Sequence, residues 1–279
     1  MLRLTCLLIL LAGSCLFVRN AGAETLGCVP IGSVPYVINS PGVYCLDKNL
    51  YMTANASAAI YITASPVTLD CNDRSITRYS PSTASYGILA SGQSVTKVRN
   101  CRVHLFPTGI ALVNSESVDV SSNWVTNATS SGILVGGNGK GINVADNVVT
   151  NLYPHTTLAA IGIALVQPTS FDGQNSDNPH WFPMASIVRN RILGGTSYHG
   201  LSIQAGEDTV VEGNIIHGRA TGIRLRAGTN NKGVAIPTSA VIRNNTVFNE
   251  IGLDAAGAYV TAHCDRNFIK GAIINCTSF

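Results

Sequence analysis

A glycine followed by an aliphatic residue recurs along most of the chain. The dipeptides are Gly87-Ile88, Gly109-Ile110, Gly132-Ile133, Gly162-Ile163, Gly200-Leu201, Gly222-Ile223 and Gly252-Leu253. The intervals between them are 22, 23, 30, 38, 22 and 30 residues. Self-similarity at such spacings is the sequence signature of repeat architectures. The chain is therefore predicted to consist of similar structural units that stack on one another.

A second pattern, aliphatic-x-aliphatic-x-x-Asn-x-aliphatic, lies between these glycines. It occurs in VDVSSNWV, INVADNVV, ASIVRNRI, TVVEGNII and AVIRNNTV, which place Asn123, Asn147, Asn190, Asn214 and Asn245 at one position, with Cys101 in the same place of TKVRNCRV. Period-two alternation predicts two short strands per repeat, and no segment has a convincing helical period. Asparagines stacked at one turn position satisfy polar groups that would otherwise be buried unpaired. These asparagines are therefore predicted to be structural.

A unit of about 22 residues with strands and turns only is too short for a propeller blade, which needs about 40 residues. It fits one coil of a parallel β-helix, in which equivalent strands lie about 4.8 Å apart. The aliphatic residues then point inward and stack on their counterparts in neighbouring coils. Those around the sixth repeat glycine are Val211, Ile216, Ile223 and Leu225.

These units resemble the right-handed parallel β-helix proteins of the pectate-lyase type, and the stretch AAIYITASPVTLDCNDRSI (58–76) is similar to the first coils of exported bacterial β-helix repeat proteins. The resemblance covers roughly residues 35–260. It implies an all-β fold, a single right-handed parallel β-helix of about eight coils with disulfide-stabilised caps. It implies little about activity, because the family includes lyases, hydrolases, epimerases and proteins with no established reaction.

The N-terminal residues 1–23 are predicted to form a secretory signal peptide. Arg3 precedes an apolar run to Val18, and Ala21 and Ala23 provide a small-residue cleavage site, which favours cleavage near Ala23. The string LAGSC, which ends at Cys15, leaves a lipoprotein signal as the alternative. An apolar run this short argues against a transmembrane anchor. We therefore expect a secreted or periplasmic protein.

The remaining chain is divided into an N-terminal cap at 24–57, the β-helix at 58–256 and a C-terminal cap at 257–279. Six cysteines remain after cleavage, an even number that favours disulfides in an exported chain and allows 15 connectivities. Proximity along the sequence suggests three bonds, with free thiols as the alternative. The suggested bonds are Cys28–Cys45, Cys264–Cys276 and, from the two cysteines left over, Cys71–Cys101.

Charge is sparse, and this limits the expected partners. Charged residues make up 12% of the chain, and after cleavage the protein has 16 basic and 15 acidic side chains. A strongly basic surface for nucleic acid or anionic lipid is absent. The histidines show no metal-ligand spacing, and a Ca²⁺ site would need clustered carboxylates that the repeats lack. We therefore expect no cofactor, no nucleic acid partner and a monomer.

The longest departure from the repeat is the polar segment 168–183, PTSFDGQNSDNPHWFP. Aromatic side chains beside carboxylates and amides can stack on a sugar ring and hydrogen-bond its hydroxyls. Long ordered loops are often functional, although the same aromatics could simply cover the coil beneath them. The candidate substrate-binding residues in this segment are Phe171, Asp172, Asp177, His180 and Trp181.

A second insertion at 227–238 follows the same type of strand, so both insertions should emerge on one side of the helix. The outward positions of this strand are apolar in early repeats and polar in late ones. Arg224 should lie one strand from Asp254, and Arg226 one strand from Gln204. Further candidate substrate-binding residues in the adjacent turn are Glu207 and Asp208.

Three interpretations of this patch remain open. Arg224, Arg226 and Asp254 could be catalytic in a lyase or epimerase that acts on uronic acid glycans. The arginines could instead clamp the carboxylates of an acidic glycan without chemistry, or Arg224 and Asp254 could form an exposed ion pair of little consequence. The favoured hypothesis is a secreted protein that binds, and in its enzymatic form modifies, a polysaccharide. The alternative is a structural or adhesive surface protein.

Overall fold

The computed structural model describes residues 27–79, 85–136, 140–153, 160–166, 184–194, 198–204, 206–218, 220–229 and 233–278. Within these ranges the chain forms strands, turns and bends, without a helix. None of its segments is both helical and apolar over a length that would cross a bilayer. The predicted signal peptide and its cleavage site lie outside the described residues.

Most coils contribute three strands, where the sequence predicted two. An 11-stranded sheet contains the strand that precedes the repeated asparagine position of each coil. Its strands are β1 (Val29–Ile31), β3 (Gly42–Leu46), β6 (Val67–Asp70), β9 (Thr96–Arg99), β12 (Asp119–Ser121), β15 (Asn143–Ala145), β18 (Ser186–Val188), β21 (Thr209–Glu212), β26 (Thr238–Arg243), β28 (Val260–Asp265) and β30 (Thr277–Ser278).

A 17-stranded sheet contains the other two strands of each coil. The short strands that follow the repeated asparagine position are β4 (Leu50–Met52), β7 (Ser75–Arg78), β10 (Arg102–His104), β13 (Trp124–Thr126), β16 (Val148–Thr150), β19 (Arg191–Leu193) and β22 (Ile215–His217). The strands around the repeat glycines and their N-terminal equivalents are β2 (Tyr36–Ile38), β5 (Ala58–Ile62), β8 (Tyr86–Ser91), β11 (Thr108–Val113), β14 (Ser131–Gly136), β17 (Ala160–Val166), β20 (Tyr198–Gln204) and β23 (Thr221–Arg226). The last two coils merge both types into β27 (Thr246–Asp254) and β29 (Phe268–Ile274).

All pairings within these two sheets are parallel, and each strand pairs with its counterpart in the next coil. The fold class predicted from the repeat is therefore confirmed: the protein is an all-β parallel solenoid. Among the described residues one pair is antiparallel: β24 (Gly228–Thr229) and β25 (Ala235–Ile236), which lie in the second predicted insertion.

The repeated asparagines form the predicted hydrogen-bonded ladder. In the middle of the helix Asn190 accepts from the backbone N–H and the side-chain amide of Asn147, both at 3.0 Å. Its own amide donates to Asn214 Oδ1 at 3.0 Å and to the Val144 carbonyl at 2.9 Å. Asn267 extends the ladder by one coil, since its Oδ1 accepts from the backbone and side chain of Asn245. Most of the ladder asparagines are fully buried, and they satisfy backbone groups of adjacent coils.

The residue before the ladder position explains why there are three strands. Ser122, Asp146 and Arg189 have positive φ angles of 57°, 57° and 54°, and the chain therefore turns there between two strands. The left-handed region is uncommon for residues other than glycine, although asparagine and aspartate adopt it more readily than most, so Asp146 favours this turn while Ser122 and Arg189 do not mark it. The sequence analysis placed the asparagines at a turn but counted two strands per repeat, whereas the structure has a separate strand on each side of this turn and another around the repeat glycine.

The aliphatic residues of the repeats form one continuous core along the solenoid. The four residues predicted to point inward, Val211, Ile216, Ile223 and Leu225, are all fully buried. The three predicted disulfides are present. Cys71–Cys101 joins successive coils, with a Cα–Cα distance of 4.7 Å, and Cys101 N–H donates to Asn123 Oδ1 at the start of the asparagine ladder.

The repeat glycines are required by close approach between coils. A β-carbon on Gly132 would lie 2.6 Å from the carbonyl oxygen of Gly162 and closer still to a methyl group of Val149. The same conflict recurs at Gly109 and Gly200. Each of these glycines lies near the start of its strand, where the backbone approaches the next coil and a side chain of a short strand closely.

We expect Gly132→Ala to lower the free energy of unfolding by about 1–3 kcal/mol, because the added methyl group would overpack the space between Gly132, the Gly162 carbonyl oxygen and Val149. Gly136→Ala is the matched control in the same strand, since its β-carbon would meet its nearest atom at 3.4 Å, an ordinary contact. The control should be neutral or stabilising by about 0.5–1 kcal/mol, since alanine orders more readily than glycine. Urea unfolding of both variants checks the pair, and equal losses would contradict steric need at Gly132.

Candidate functional site

Strand register brings the predicted polar residues together on the outer face of the solenoid. Arg224 lies opposite Asp254 in the next coil, and Gln204 lies opposite Arg226, as the spacing of the repeat glycines predicted. Early coils carry Leu89 at the same outward position, in a small apolar cluster. The polar patch is therefore confined to β20, β23 and β27.

Arg226 forms the ion pair that the sequence analysis gave to Arg224. Its Nη2 pairs with Asp254 Oδ2, while its Nη1 donates to the Leu225 carbonyl at 2.7 Å. The side chains of Arg226 and Asp254 are 31% and 11% exposed, so the pair is largely buried rather than on the open surface. The expectation of an exposed Arg224–Asp254 pair was wrong, because the long Arg226 side chain reaches Asp254 diagonally across the strands.

Asp254 is fixed as a carboxylate by this arrangement. The hydrogen bond from Arg226 lowers the pKa of the Asp254 carboxyl, against the effect of burial, and the backbone N–H of Ala256 adds to the lowering. That N–H lies 3.2 Å from Asp254 Oδ1. Thr238 Oγ1 donates to the Arg226 carbonyl at 2.6 Å, which anchors the strand end before β24. Arg226 and Asp254 are therefore mutually neutralised.

Arg224 contacts a histidine instead of a carboxylate. Its Nη1 lies 3.2 Å from Nε2 of His199 in the preceding coil. Among the described residues it has no ion pair, and its buried Nε has no hydrogen-bond partner. Burial, with a further contribution from Arg226, lowers the pKa of the Arg224 guanidinium, and Asp254 opposes this. An arginine side chain remains cationic under such perturbation, so Arg224 carries a positive charge that no ion pair with another described residue neutralises.

His199 is a site residue that the sequence analysis did not assign to the site. It lies in β20, opposite Ile161, and its imidazole is half-buried. Burial first, and then the charges of Arg224 and Arg226, lower the pKa of the imidazole, so it is neutral near neutral pH. Because Arg224 can only donate, Nε2 is the acceptor and Nδ1 carries the proton. The signal in the sequence was its position, since His199 directly precedes a repeat glycine and lies 25 residues before Arg224.

The other predicted site residues are less directly placed. Glu207 and Asp208 lie in the turn before β21, where Asp208 N–H donates to Ser239 Oγ at 2.9 Å. Burial and the neighbouring Asp208 raise the pKa of the Glu207 carboxyl. In the part of the chain that the structure describes, no hydrogen bond or ion pair joins the side chains of this turn to the arginines. The predicted residues Phe171, Asp172, Asp177, His180 and Trp181 lie outside the described residues.

The described residues contain no group of three or more His, Cys, Asp or Glu side chains arranged to hold a metal ion. The described side chains of this patch offer a largely buried ion pair, a guanidinium outside that pair and a neutral imidazole on one face.

The fold and repeat define this protein as a parallel β-helix protein. Residues 35–168 match the family model described as "Right handed beta helix region". No curated protein matches the sequence at a significant level.

Three solved structures illustrate the similarity. A double mutant of the periplasmic alginate epimerase AlgG is 12% identical with a TM-score of 0.46, and the match covers 81% of this chain and 61% of the epimerase chain. The pectate lyase Pel9A is 13% identical with a TM-score of 0.35, covering 87% and 69%. The catalytic domain of a GH87 alpha-1,3-glucanase in complex with nigerose is 12% identical with a TM-score of 0.26, covering 87% and 63%. Similarity at this level carries no argument about activity.

Proposed function

We propose that this protein is exported and binds an acidic polysaccharide on the outer face of β20, β23 and β27, with Arg224 as the carboxylate-binding residue. The observation that carries the proposal is that Arg224 has no ion pair among the described residues. Arg226 is paired with Asp254, while the side chain that Arg224 contacts in the described part of the chain is a neutral imidazole. A partly desolvated guanidinium gains most from an anion that completes its hydrogen bonds, and carboxylates fit its forked geometry.

The surrounding residues supply the remaining contacts in this proposal. Gln204, opposite Arg226, offers an amide to sugar hydroxyls. The segment 168–183, with Trp181 and Phe171, contributes rings that stack on the sugar. Glu207 and Asp208 accept hydrogen bonds from hydroxyls at the side of the patch.

The test compares two charge-matched variants in affinity gels that contain alginate or pectate. Arg224→Ala should weaken retardation roughly 10- to 100-fold, which corresponds to one lost charge-assisted hydrogen-bonding group. Arg189→Ala removes the same charge from an exposed pair with Asp146 elsewhere on the solenoid and should leave binding unchanged. Equal losses of retardation in both variants would show that binding depends on the net charge of the protein and not on Arg224 itself. Absence of retardation for the wild type would favour a structural or adhesive surface protein.

A second candidate function, proton abstraction from a uronate, is favoured by the contact between His199 and Arg224. A general base must be unprotonated, and burial together with both arginines keeps His199 neutral. When Arg224 turns to the substrate carboxylate, it releases the lone pair on Nε2. Nε2 then takes the proton α to that carboxylate, and Arg224 stabilises the resulting enolate charge. Return of a proton gives epimerisation, while cleavage of the bond to the leaving oxygen gives an unsaturated sugar.

This reaction is tested with uronate polymers in deuterated water. Epimerisation should incorporate deuterium at the α-carbon, and elimination should raise the absorbance of unsaturated ends. His199→Gln should abolish either signal while retardation in the affinity gels persists. Retained turnover in that variant would exclude His199 as the base, and binding without turnover by the wild type would leave a binding protein.

A further inference from the structure

The short strands that follow the repeated asparagine position form an outer face of their own, which we call the short-strand face. The middle residue of each strand is buried, as in Val125 and Val149, so the residues on either side of it point outward. Leu105 and Asn127, which follow two of these strands, have positive φ angles of 65° and 59°. The chain therefore turns before the strand of the repeat glycine, and the short-strand face is separate from the patch around Arg224.

Strand register places the first outward residue of each short strand in one straight column. Its members, in the order of the coils, are Arg102, Trp124, Val148, Arg191, Ile215, Thr246 and Phe268. With about 4.8 Å between adjacent strands, this column extends over about 29 Å. Trp124, Ile215 and Phe268 are 43%, 40% and 62% exposed, so large apolar side chains recur in solvent along it. Single exposed apolar residues are ordinary, whereas a series of them on one face is typical of a binding surface.

The charges on this face have one sign. A second column beside the first contains His104, Thr126, Thr150, Leu193, His217, Phe248 and Lys270. Arg102, Arg191 and Lys270 are cationic, and neither column contains a carboxylate; Glu250 lies two residues past the second column. Neither arginine forms an ion pair with another described residue. The face is therefore complementary in charge to an anionic partner.

Trp124 is held in place and remains open to solvent. Its Nε1 donates to Thr150 Oγ1 of the next coil at 3.4 Å, and the Arg102 guanidinium of the preceding coil lies 5.6 Å from the ring centroid. A side chain that is already ordered loses less entropy when it binds a ligand. At the other end of the face, the ring centroids of Phe248 and Phe268 are 5.6 Å apart. Aromatic rings therefore lie near both ends of the short-strand face.

This combination fits an acidic polysaccharide better than a lipid surface. Aromatic rings pack on the apolar faces of sugars, and guanidinium groups bind their carboxylates. The second column adds hydrogen-bonding groups for hydroxyls, such as those of Thr150 and His104. Burial and the charge of Arg102 lower the pKa of the His104 imidazole, so it is neutral near neutral pH. Acyl chains would leave these polar groups without hydrogen bonds, at a cost in free energy.

We propose that the short-strand face is a second binding face, along which an acidic polysaccharide lies parallel to the solenoid axis. It stacks on Trp124 and Phe268, and Arg102 and Arg191 bind its carboxylates. The choice of ligand rests on the proposed function, but the face shares no residue with the patch around Arg224. One protein molecule therefore binds two lengths of polysaccharide, one on each face.

The first test repeats the alginate and pectate affinity gels with the double variant Trp124→Ala/Arg191→Ala. Loss of a stacking ring and a cation should weaken retardation about tenfold. The conservative variant Trp124→Phe/Arg191→Lys keeps a ring and a cation and should be retarded nearly as strongly as the wild type. Lys97→Ala is the matched control, because it removes an exposed cation from β9 in the other sheet, and it should leave retardation unchanged.

The second test uses tryptophan fluorescence to observe the face directly. Trp181→Phe leaves Trp124 as the single tryptophan of the chain. An alginate octasaccharide should shift its emission to shorter wavelength, because stacking removes water from the indole ring. The same shift should persist in Trp181→Phe/Arg224→Ala, since the two faces bind separately.

The outcomes distinguish this face from the proposed function. Unchanged retardation in Trp124→Ala/Arg191→Ala, with binding still lost in Arg224→Ala, would overturn the second face and leave the proposed function. The reverse pattern would overturn the role of Arg224 and leave the second face. Failure of the wild type to bind either polymer would overturn both. Cosedimentation with vesicles of phosphatidylglycerol and phosphatidylcholine, or dimerisation, if lost in the double variant, would assign the face to a lipid surface or a second copy and contradict the inference.

Discussion

Replacing Asn190 with leucine is expected to lower the free energy of unfolding on the order of 3–5 kcal/mol, because it orphans several buried polar groups together. The Asn147 backbone N–H loses its acceptor, and the Asn147 side-chain amide loses one of its two. The Val144 carbonyl loses a donor at 2.9 Å. Leucine has the same number of side-chain heavy atoms and the same branching, so the substitution leaves no cavity and the loss would report the missing hydrogen bonds.

The matched control makes the same chemical change outside the ladder. Asn143→Leu on β15 removes one hydrogen bond to Asp119 near the surface and should cost less than about 1 kcal/mol. Urea unfolding measures both variants. If Asn190→Leu cost no more than Asn143→Leu, the ladder would be a consequence of stacking and not a source of stability.

The ladder is also where the sequence predicted the fold best. Identical spacing of asparagine and glycine across repeats forces equivalent residues into register, and that constraint is visible without coordinates. The third strand of each coil was missed because its turn rests on single residues with positive φ, such as Ser122 and Arg189. Backbone strain of this kind is stabilised by the stacked coils, not by the local composition. Asn267 was missed because the residues before it lack the aliphatic pattern.

The candidate site shows a similar boundary between what spacing predicts and what it does not. Counting from repeat glycines correctly placed Arg224 opposite Asp254 and Arg226 opposite Gln204. The predicted ion pair between Arg224 and Asp254 was wrong, since a guanidinium at the end of a long side chain reaches diagonal neighbours as readily as direct ones. His199 was missed because a single histidine beside a glycine carries no motif. Only the fold brings it to 3.2 Å from Arg224.

Asp254→Ala is expected to lower the free energy of unfolding by about 3 kcal/mol, because Arg226 would be left largely buried without its counter-charge. The side-chain exposures of 31% and 11% place this pair toward the lower end of the cost for breaking a buried ion pair. Asp146→Ala is the matched control: it breaks the Arg189 pair, whose side chains are 63% and 44% exposed, and should cost less than about 1 kcal/mol. The double variant Arg226→Leu/Asp254→Leu should recover most of the loss, since both charges leave the site together.

The same pair predicts how stability depends on pH. The hydrogen bond from Arg226 lowers the pKa of folded Asp254, so the carboxylate binds protons less readily folded than unfolded. Its contribution is therefore complete above the unfolded pKa of about 3.9 and declines as the pH falls through the lower folded pKa. Unfolding free energies measured between neutral pH and pH 3 should show a difference between the wild type and Asp254→Ala that is constant near neutral pH and narrows below about pH 4. A constant difference over that range would mean that Asp254 stabilises the site through packing and not through its charge.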